Sequence, residues 1–329
     1  MNMLTRTSES PAPDAGGGAA APTVLAFDVG GTDMKVGLLA GPIAPGAIEI
    51  RDLQRLPTPG IEQGAASVST ADAIVERIVE LTADYQANHP DSPVAAIGVT
   101  VPGLVDEATG VGIYSANLGW KDYPFTARLT ERLGLPVAFG HDVAMAGEAE
   151  LKIGAARGES NVVVMVIGTG IAGAVVCDGH RVRGAGYAGE LGHALVPTPE
   201  GPLAILESVG SARAIALAYQ EATGTAVNGA RDVLDRAAAG DAAAAAAWTR
   251  GVDALAFSLA QCVSMLGTET VVLGGGLSMA GPALFEPLAA GIDALLTFHR
   301  RPRLVHAELG QNAGLIGSAL KAREMLAGA

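Results

Sequence analysis

The chain has 329 residues, 49% of them hydrophobic, and carries 34 Asp+Glu against 21 Lys+Arg for a formal charge of -13. That length and apolar fraction suffice for two domains with cores of their own. The acidic balance argues against nucleic acid or an anionic membrane as a partner, since the one short basic cluster is Arg300, Arg301 and Arg303. Cys177 and Cys262 each lie in an apolar segment; two are too few for a disulfide framework and read as thiols of a reducing cytoplasm. No apolar run reaches the ~18 residues of a membrane span.

Residues 1–22 are rich in Ser, Pro, Ala and Gly, lack the apolar stretch of a signal peptide, and read as a disordered tail. An apolar run from Val24 to Phe27 then ends in Asp28, Gly30, Gly31 and Thr32 follow, and alternation resumes at Met34, Val36 and Leu38. This is the pattern of strand, tight turn, strand. A turn of nearly bare backbone admits a phosphate to the amide N–H groups, and Thr32 adds a hydroxyl donor. Asp28 stands where a carboxylate could hold a hydrated Mg²⁺. An ordinary glycine hairpin carries the same pattern. Residues 47–55 alternate as a third strand, 70–86 form a helix, and 94–101 a buried strand ending in Pro102-Gly103.

Asn117-Leu118-Gly119-Trp120 falls in a loop before a helix over 125–133, and a short strand over 135–139 leads into Gly140-His141-Asp142. Asp142 suits the N-cap of a helix running to Ile153. It is equally a candidate catalytic carboxylate, because chemistry in open α/β sheets gathers at the carboxyl ends of strands. Glu148 and Glu150 read as the polar face of that helix.

The second half repeats the plan of the first. A strand over 161–167, the turn Gly168-Thr169-Gly170 and a strand over 171–177 match residues 24–38. A glycine-broken loop over 184–196 carries Glu190 and His193, and helices follow over 211–221, 230–238 and 242–266. A buried strand over 270–273 ends in Gly274-Gly275-Gly276; a helix (282–296), a strand (303–306) and a last helix (313–326) close the chain. The duplication predicts an α/β protein of two similar domains with phosphate-sized turns facing a shared cleft.

Taken together, these motifs make the chain resemble the ROK family of sugar kinases, within the actin-like/hexokinase ATPase fold. The resemblance spans residues 24–325. It rests on Asp28-Val29-Gly30-Gly31-Thr32, Val101-Pro102-Gly103, Asn117-Leu118-Gly119-Trp120, His141-Asp142 and Gly168-Thr169-Gly170. Gly189-Glu190-Leu191-Gly192-His193, Leu206-Glu207 with Ser211, and Gly274-Gly275-Gly276 complete it.

The resemblance implies two actin-like (ribonuclease H-like) domains about an interdomain cleft, over 23–140 and 141–312, with the 313–329 helix packing back on the first. It implies ATP-dependent phosphorylation of a sugar hydroxyl, the 6-OH of a hexose and glucose by default, in a cytoplasmic homodimer. By the same carry-over Asp142 is the general base; Gly30, Gly31, Thr32, Gly168, Thr169 and Gly170 hold phosphates; Gly274 and Gly275 lie by the adenosine. Asn117, Glu190, His193 and Glu207 contact sugar hydroxyls, with Gly103 and His141 beside them, and Asp28 orders Mg²⁺ through water. Phosphoryl transfer suits this set, since it needs positioning, charge neutralisation and a carboxylate for the hydroxyl proton.

Two departures stand out. The family's cysteine-rich zinc run is absent: residues 197–205 contain no cysteine, which predicts no zinc and a loop held by packing and by Pro197, Pro199 and Pro202. His141 and Ala144 stand where many members have Asn, which leaves the sugar open to another hexose or a cyclitol. The phosphate turns do not distinguish ATP from polyphosphate. A sugar-responsive ROK regulator is the alternative from another class; the roughly two dozen residues before Asp28 are too few for its helix-turn-helix.

Overall fold

The computed structural model describes residues 21–60, 69–199 and 201–328. The expected tail therefore falls, but for its last two residues, outside the described residues.

The first half is built around the strand Val24–Val29, buried at five of its six positions. It pairs antiparallel with Asp33–Leu39 and parallel with Ala96–Val101. Val137–His141 extends the sheet beyond Ala96–Val101, and Arg51–Pro57 extends it beyond Asp33–Leu39. Alternation along the central strand splits its side chains between two layers. Leu25, Phe27 and Val29 pack with Ile74 and Ile78 of the helix Thr70–Asn88 and with Leu129 of the helix Phe125–Leu133. Val24 and Ala26 pack with Leu315, Ala319 and Ala322 of the last helix, Ala313–Ala327.

The second half has the same sheet. Val162–Ile167 is central, antiparallel to Ile171–Cys177 and parallel to Thr270–Gly274, with Arg303–His306 and His180–Arg181 at the two edges. Strand order and senses repeat those of the first sheet, so the duplication read from the turns extends to the topology. Val163, Met165 and Ile167 face the helices Ala212–Thr223, Ala230–Ala238, Ala242–Leu266 and Pro282–Leu295. The longest of these is stapled at both ends: Asp241 accepts from the N–H groups of Ala243 and Ala244, and Gly267 closes it at φ 66°.

The helix Asp142–Ile153 covers the other face of the second sheet and also packs against the last helix. Two glycines permit that double contact. A Cβ on Gly147 would sit 2.4 Å from the Ala174 Cβ, and one on Gly317 would sit 2.1 Å from the Met145 carbonyl oxygen. The element that begins with Asp142 is thus clamped between the two halves.

The structure differs from expectation in four places. The third strand is Arg51–Pro57, while Ile43–Ala44 and Ala47–Ile48 make a small separate hairpin. The loop carrying Asn117 joins Val111–Ser115 to Trp120–Tyr123, which with Leu104–Asp106 form a three-stranded antiparallel sheet whose short, glycine-broken strands carry too little periodicity to read. His141, not Asp142, caps the following helix. Glu148 and Glu150 do not form a solvated face. Glu148 pairs with Arg181 at 2.6 Å, and Glu150 is 1% exposed.

Candidate active site

Asp28, at the carboxyl end of the first central strand, shares a register level with Lys35 and Thr100 on the neighbouring strands. Those neighbours partner it: Lys35 Nζ donates to Oδ2 at 3.0 Å and Thr100 Oγ1 donates to Oδ1 at 3.0 Å. Lys35 also donates to the Gln311 carbonyl oxygen, tying the hairpin to the segment before the last helix. Gly314 on that helix lies so near that a Cβ there would be 3.0 Å from Asp28 Oδ1.

The turn after Asp28 is closed by Gly30 N–H donating to the Asp33 carbonyl at 2.8 Å. Thr58, just past the edge strand, braces it: its N–H donates to Thr32 O at 2.8 Å and its hydroxyl to Gly30 O at 2.8 Å. Gly31 and Thr32 are left exposed. The matching turn of the second half is braced differently. Glu207 Oε2 accepts from Ile171 N–H at 2.9 Å and lies where a Cβ on Gly170 would come within 2.7 Å, so this glycine makes room for a carboxylate. Gly275 adopts φ +80° with its Cβ direction filled by Ile167 O at 2.4 Å, a position only glycine tolerates.

Asp142, Asp28, Gly274 and Gly275 line one cavity of about 550 Å³ between the halves, with Lys35 and His306 also on its wall. Asp142 Oδ1 accepts from Val143 N–H at 2.6 Å and lies 3.2 Å from His141 Nε2. Burial pushes the Asp142 carboxyl above the usual carboxylate range; His141 and the Val143 N–H oppose that, and the charges of Asp28 and Glu190 add to it.

The remaining predicted residues lie off this wall. Gly103, at φ +95°, is pinned by backbone, with Tyr114 O 2.3 Å from a would-be Cβ; Asn117 is exposed in the turn before Trp120. Glu190 is half-buried ahead of the short 3₁₀ turn Leu191–His193, and His193 is exposed. Of these, Glu190 is tied to Asp142 by charge, and Glu207 to the Gly168–Gly170 turn. Trp120 is a core residue, edge-on to Phe125 at 5.1 Å. In place of a cysteine run, Leu195–Pro197 pairs with Leu203–Ile205, and Thr198 Oγ1 donates to Pro202 O at 2.7 Å.

Sequence reasoning missed two residues of the site. His306 ends a strand on the cavity, 3.1 Å from Ser278 Oγ; the strand-end rule that flagged Asp142 applies to it equally. Glu150, also on the wall, accepts from Ala155 and Leu309 N–H at 2.8 Å each and from Glu308 N–H at 3.2 Å. It thereby fastens the Asp142 helix to the segment that carries Gly310 and Gln311 on the same wall. No local pattern announces that, because Glu308 and Leu309 lie some 160 residues further along the chain.

Twin sheets of identical strand order, each with a glycine turn after its central strand and a cavity between them, define the actin-like ATPase fold. The chain belongs to the ROK family, which it matches over residues 24–325. It is 32% identical over 321 residues to a glucokinase of Halalkalibacterium halodurans, covering 89% of this chain and 92% of that one. It is 29% identical over 318 residues to an N-acetylmannosamine kinase of Shigella flexneri, covering 92% and 98%. A crystal structure of a ROK family glucokinase from Streptomyces griseus in complex with glucose and AMPPNP superposes with a TM-score of 0.73 at 25% identity, covering 92% of this chain and 99% of that one.

Proposed function

We propose that this sugar kinase transfers the γ-phosphoryl group of ATP to the 6-hydroxyl of a hexose, glucose first, with Asp142 as general base. One observation carries the reading: a carboxyl of raised pKa lines the cavity between the halves, with Oδ1 accepting from Val143 N–H and Oδ2 given no hydrogen bond among the described residues. A base with raised pKa and a fixed orientation suits removal of a hydroxyl proton. Glu190, Glu207, Asn117 and His193, with Gly103 beside them, supply the sugar contacts. The turns at Gly30–Thr32 and Gly168–Gly170 take the phosphates, and Gly274 and Gly275 the adenosine. The glucokinase likeness and the glucose complex of the Streptomyces relative support glucose as the first choice.

The donor set suits a hard cation. The charges of Asp28 and Glu190 both bear on Asp142, Lys35 pairs with Asp28, and carboxylate oxygens are the donors such an ion takes. Asp28 would hold Mg²⁺ through water, and the bound ion would neutralise phosphate charge. The proposed assembly is a homodimer, which light scattering checks.

A second reading, N-acetylmannosamine as the acceptor, is favoured by the Shigella likeness and by the residues at 141 and 144. The test is kcat/KM across glucose, mannose and N-acetylmannosamine. A preference of more than ~10-fold, about 1.4 kcal/mol of transition-state stabilisation, for anything but glucose would overturn the glucose assignment.

A further inference from the structure

The proposed sugar contacts come from two places: Gly103 and Asn117 from the three-stranded sheet and its loops in the first half, Glu190 and His193 from the 184–193 loop of the second. Both ends of that loop are tied to the strand Ile171–Cys177. Val182 N–H donates to Val175 O at 2.8 Å ahead of it, and Gly189 O accepts from Gly173 N–H at 2.8 Å just before Glu190. Between these ties the loop crosses to the first half. Gly186, at φ +92°, comes so close to the strand Leu104–Asp106 that a Cβ would lie 2.3 Å from Val105 O; Gly103 directly precedes that strand. An ion pair joins the same two segments. Arg181 Nη2, just ahead of the loop, donates to Oε2 of Glu107, the residue after the strand, at 2.5 Å. Its Nε donates at 2.6 Å to Glu148 Oε1, on the helix that begins with Asp142. The Arg181 and Glu107 side chains are 8% and 9% exposed. Lys321 Nζ donates to the same Glu107 oxygen at 2.6 Å, from the last helix, which packs on the first sheet.

We infer that Glu107 and Arg181 are positioning residues for the sugar: their pair holds the 184–193 loop against the sheet that carries Gly103 and Asn117. The inference rests on the kinase reading above and deepens it. With the pair made, the contacts from the two halves stand together before the sugar arrives. Without it, the docked arrangement becomes one of several, and a sugar binds only the fraction of molecules in which it is formed. The apparent affinity falls by that fraction. Once the sugar is bound the same contacts are made, the acceptor hydroxyl meets the phosphoryl group as before, and turnover holds. Burial makes the pair effective, since exposed pairs are worth little and water and salt screen this one far less. Lys321 provides the contrast, because it meets Glu107 from the first half's own side.

Glu107→Ala and Lys321→Met test it. For Glu107→Ala a docked fraction of about one in ten raises the KM for sugar ~10-fold. Its kcat and its KM for ATP change by less than about threefold. Hydrogen exchange of the 184–193 segment becomes faster in the free protein and returns to that of the unaltered protein at saturating sugar. Lys321→Met also breaks a bond to Glu107, yet leaves the sugar KM and that exchange unmoved. An unchanged sugar KM, equal rises in both KM values, a loss of kcat alone, or Lys321→Met matching Glu107→Ala would each overturn the inference. Should Glu107→Ala fold poorly, Glu107→Gln decides by the same two readings: a raised sugar KM with faster exchange supports the role, and unaltered values sink it. The two levels separate in the same assay. An unaltered protein that phosphorylates no sugar with ATP removes the kinase reading, whereas sugar turnover with an unmoved sugar KM in Glu107→Ala removes the role of the pair alone.

Discussion

At Asp142 the protein holds a carboxyl where ionisation is disfavoured, by burial first and by Asp28 and Glu190 after it. Because its folded pKa lies above the unfolded value, the ionised form costs stability at neutral pH, and that cost fades as pH falls through the folded value. Asp142→Asn is therefore expected to raise Tm while lowering kcat by roughly 10²–10⁴; thermal denaturation and turnover measured on one preparation check both. With Asp142 as the proposed base, kcat of the unaltered protein is expected to fall as acid protonates it, with a midpoint above the ordinary carboxylate value of ~4. A pH–rate profile flat to below pH ~4 would contradict the assignment. Asp142 was legible from its place at a strand end. Its partner His141 was legible as a residue but not as a cap, because the choice between them turns on the backbone angles of a single junction.

The helix Asp142–Ile153 is the element through which the site is assembled. Glu150, two turns beyond Asp142, anchors the segment before the last helix by two backbone bonds, from Glu308 and Leu309 N–H, and holds the turn after its own helix by a third, from Ala155 N–H. Glu150→Ala would leave those N–H groups unpaired and is expected to cost about 3 kcal/mol, read by denaturant unfolding. It should raise the KM for ATP more than that for sugar, since the freed segment carries the Gly310–Gln311 wall. Gly275→Ala tests the opposite wall. With φ +80° and Ile167 O 2.4 Å from the new Cβ, the turn must shift, and a higher KM for ATP is expected in steady-state kinetics. The sequence suggested Gly275 through its glycine run. Nothing local pointed to Glu150, whose charge reads as a solvated helix face until the fold brings distant backbone over it.

Across the whole molecule a buried ion-pair network spans the halves. Glu107, 9% exposed, sits on the first half and pairs with Arg181 of the second at 2.5 Å and with Lys321 of the last helix at 2.6 Å; Arg181 reaches on to Glu148. Burial alone would raise the Glu107 carboxyl, but Lys321 and Arg181 outweigh it and hold it below the usual range. Its stabilising share is thus present above the unfolded carboxylate pKa of ~4.3 and is lost as pH falls through the folded value. Arg181→Met takes the guanidinium from Glu107, which keeps Lys321, and from Glu148, and is expected to cost about 1.5–3 kcal/mol, checked by chemical denaturation at neutral pH. The sequence by itself determined the two glycine turns, the strand-end Asp142 and the doubled plan, because these follow from short-range periodicity and from backbone chemistry that few residues permit. Only the tertiary structure decided that Asp28 is paired with Lys35, that Glu150 is buried, and that Glu107 joins Arg181 to Lys321. Each of those depends on groups from distant parts of the chain arriving at one point, and no local pattern records where they meet.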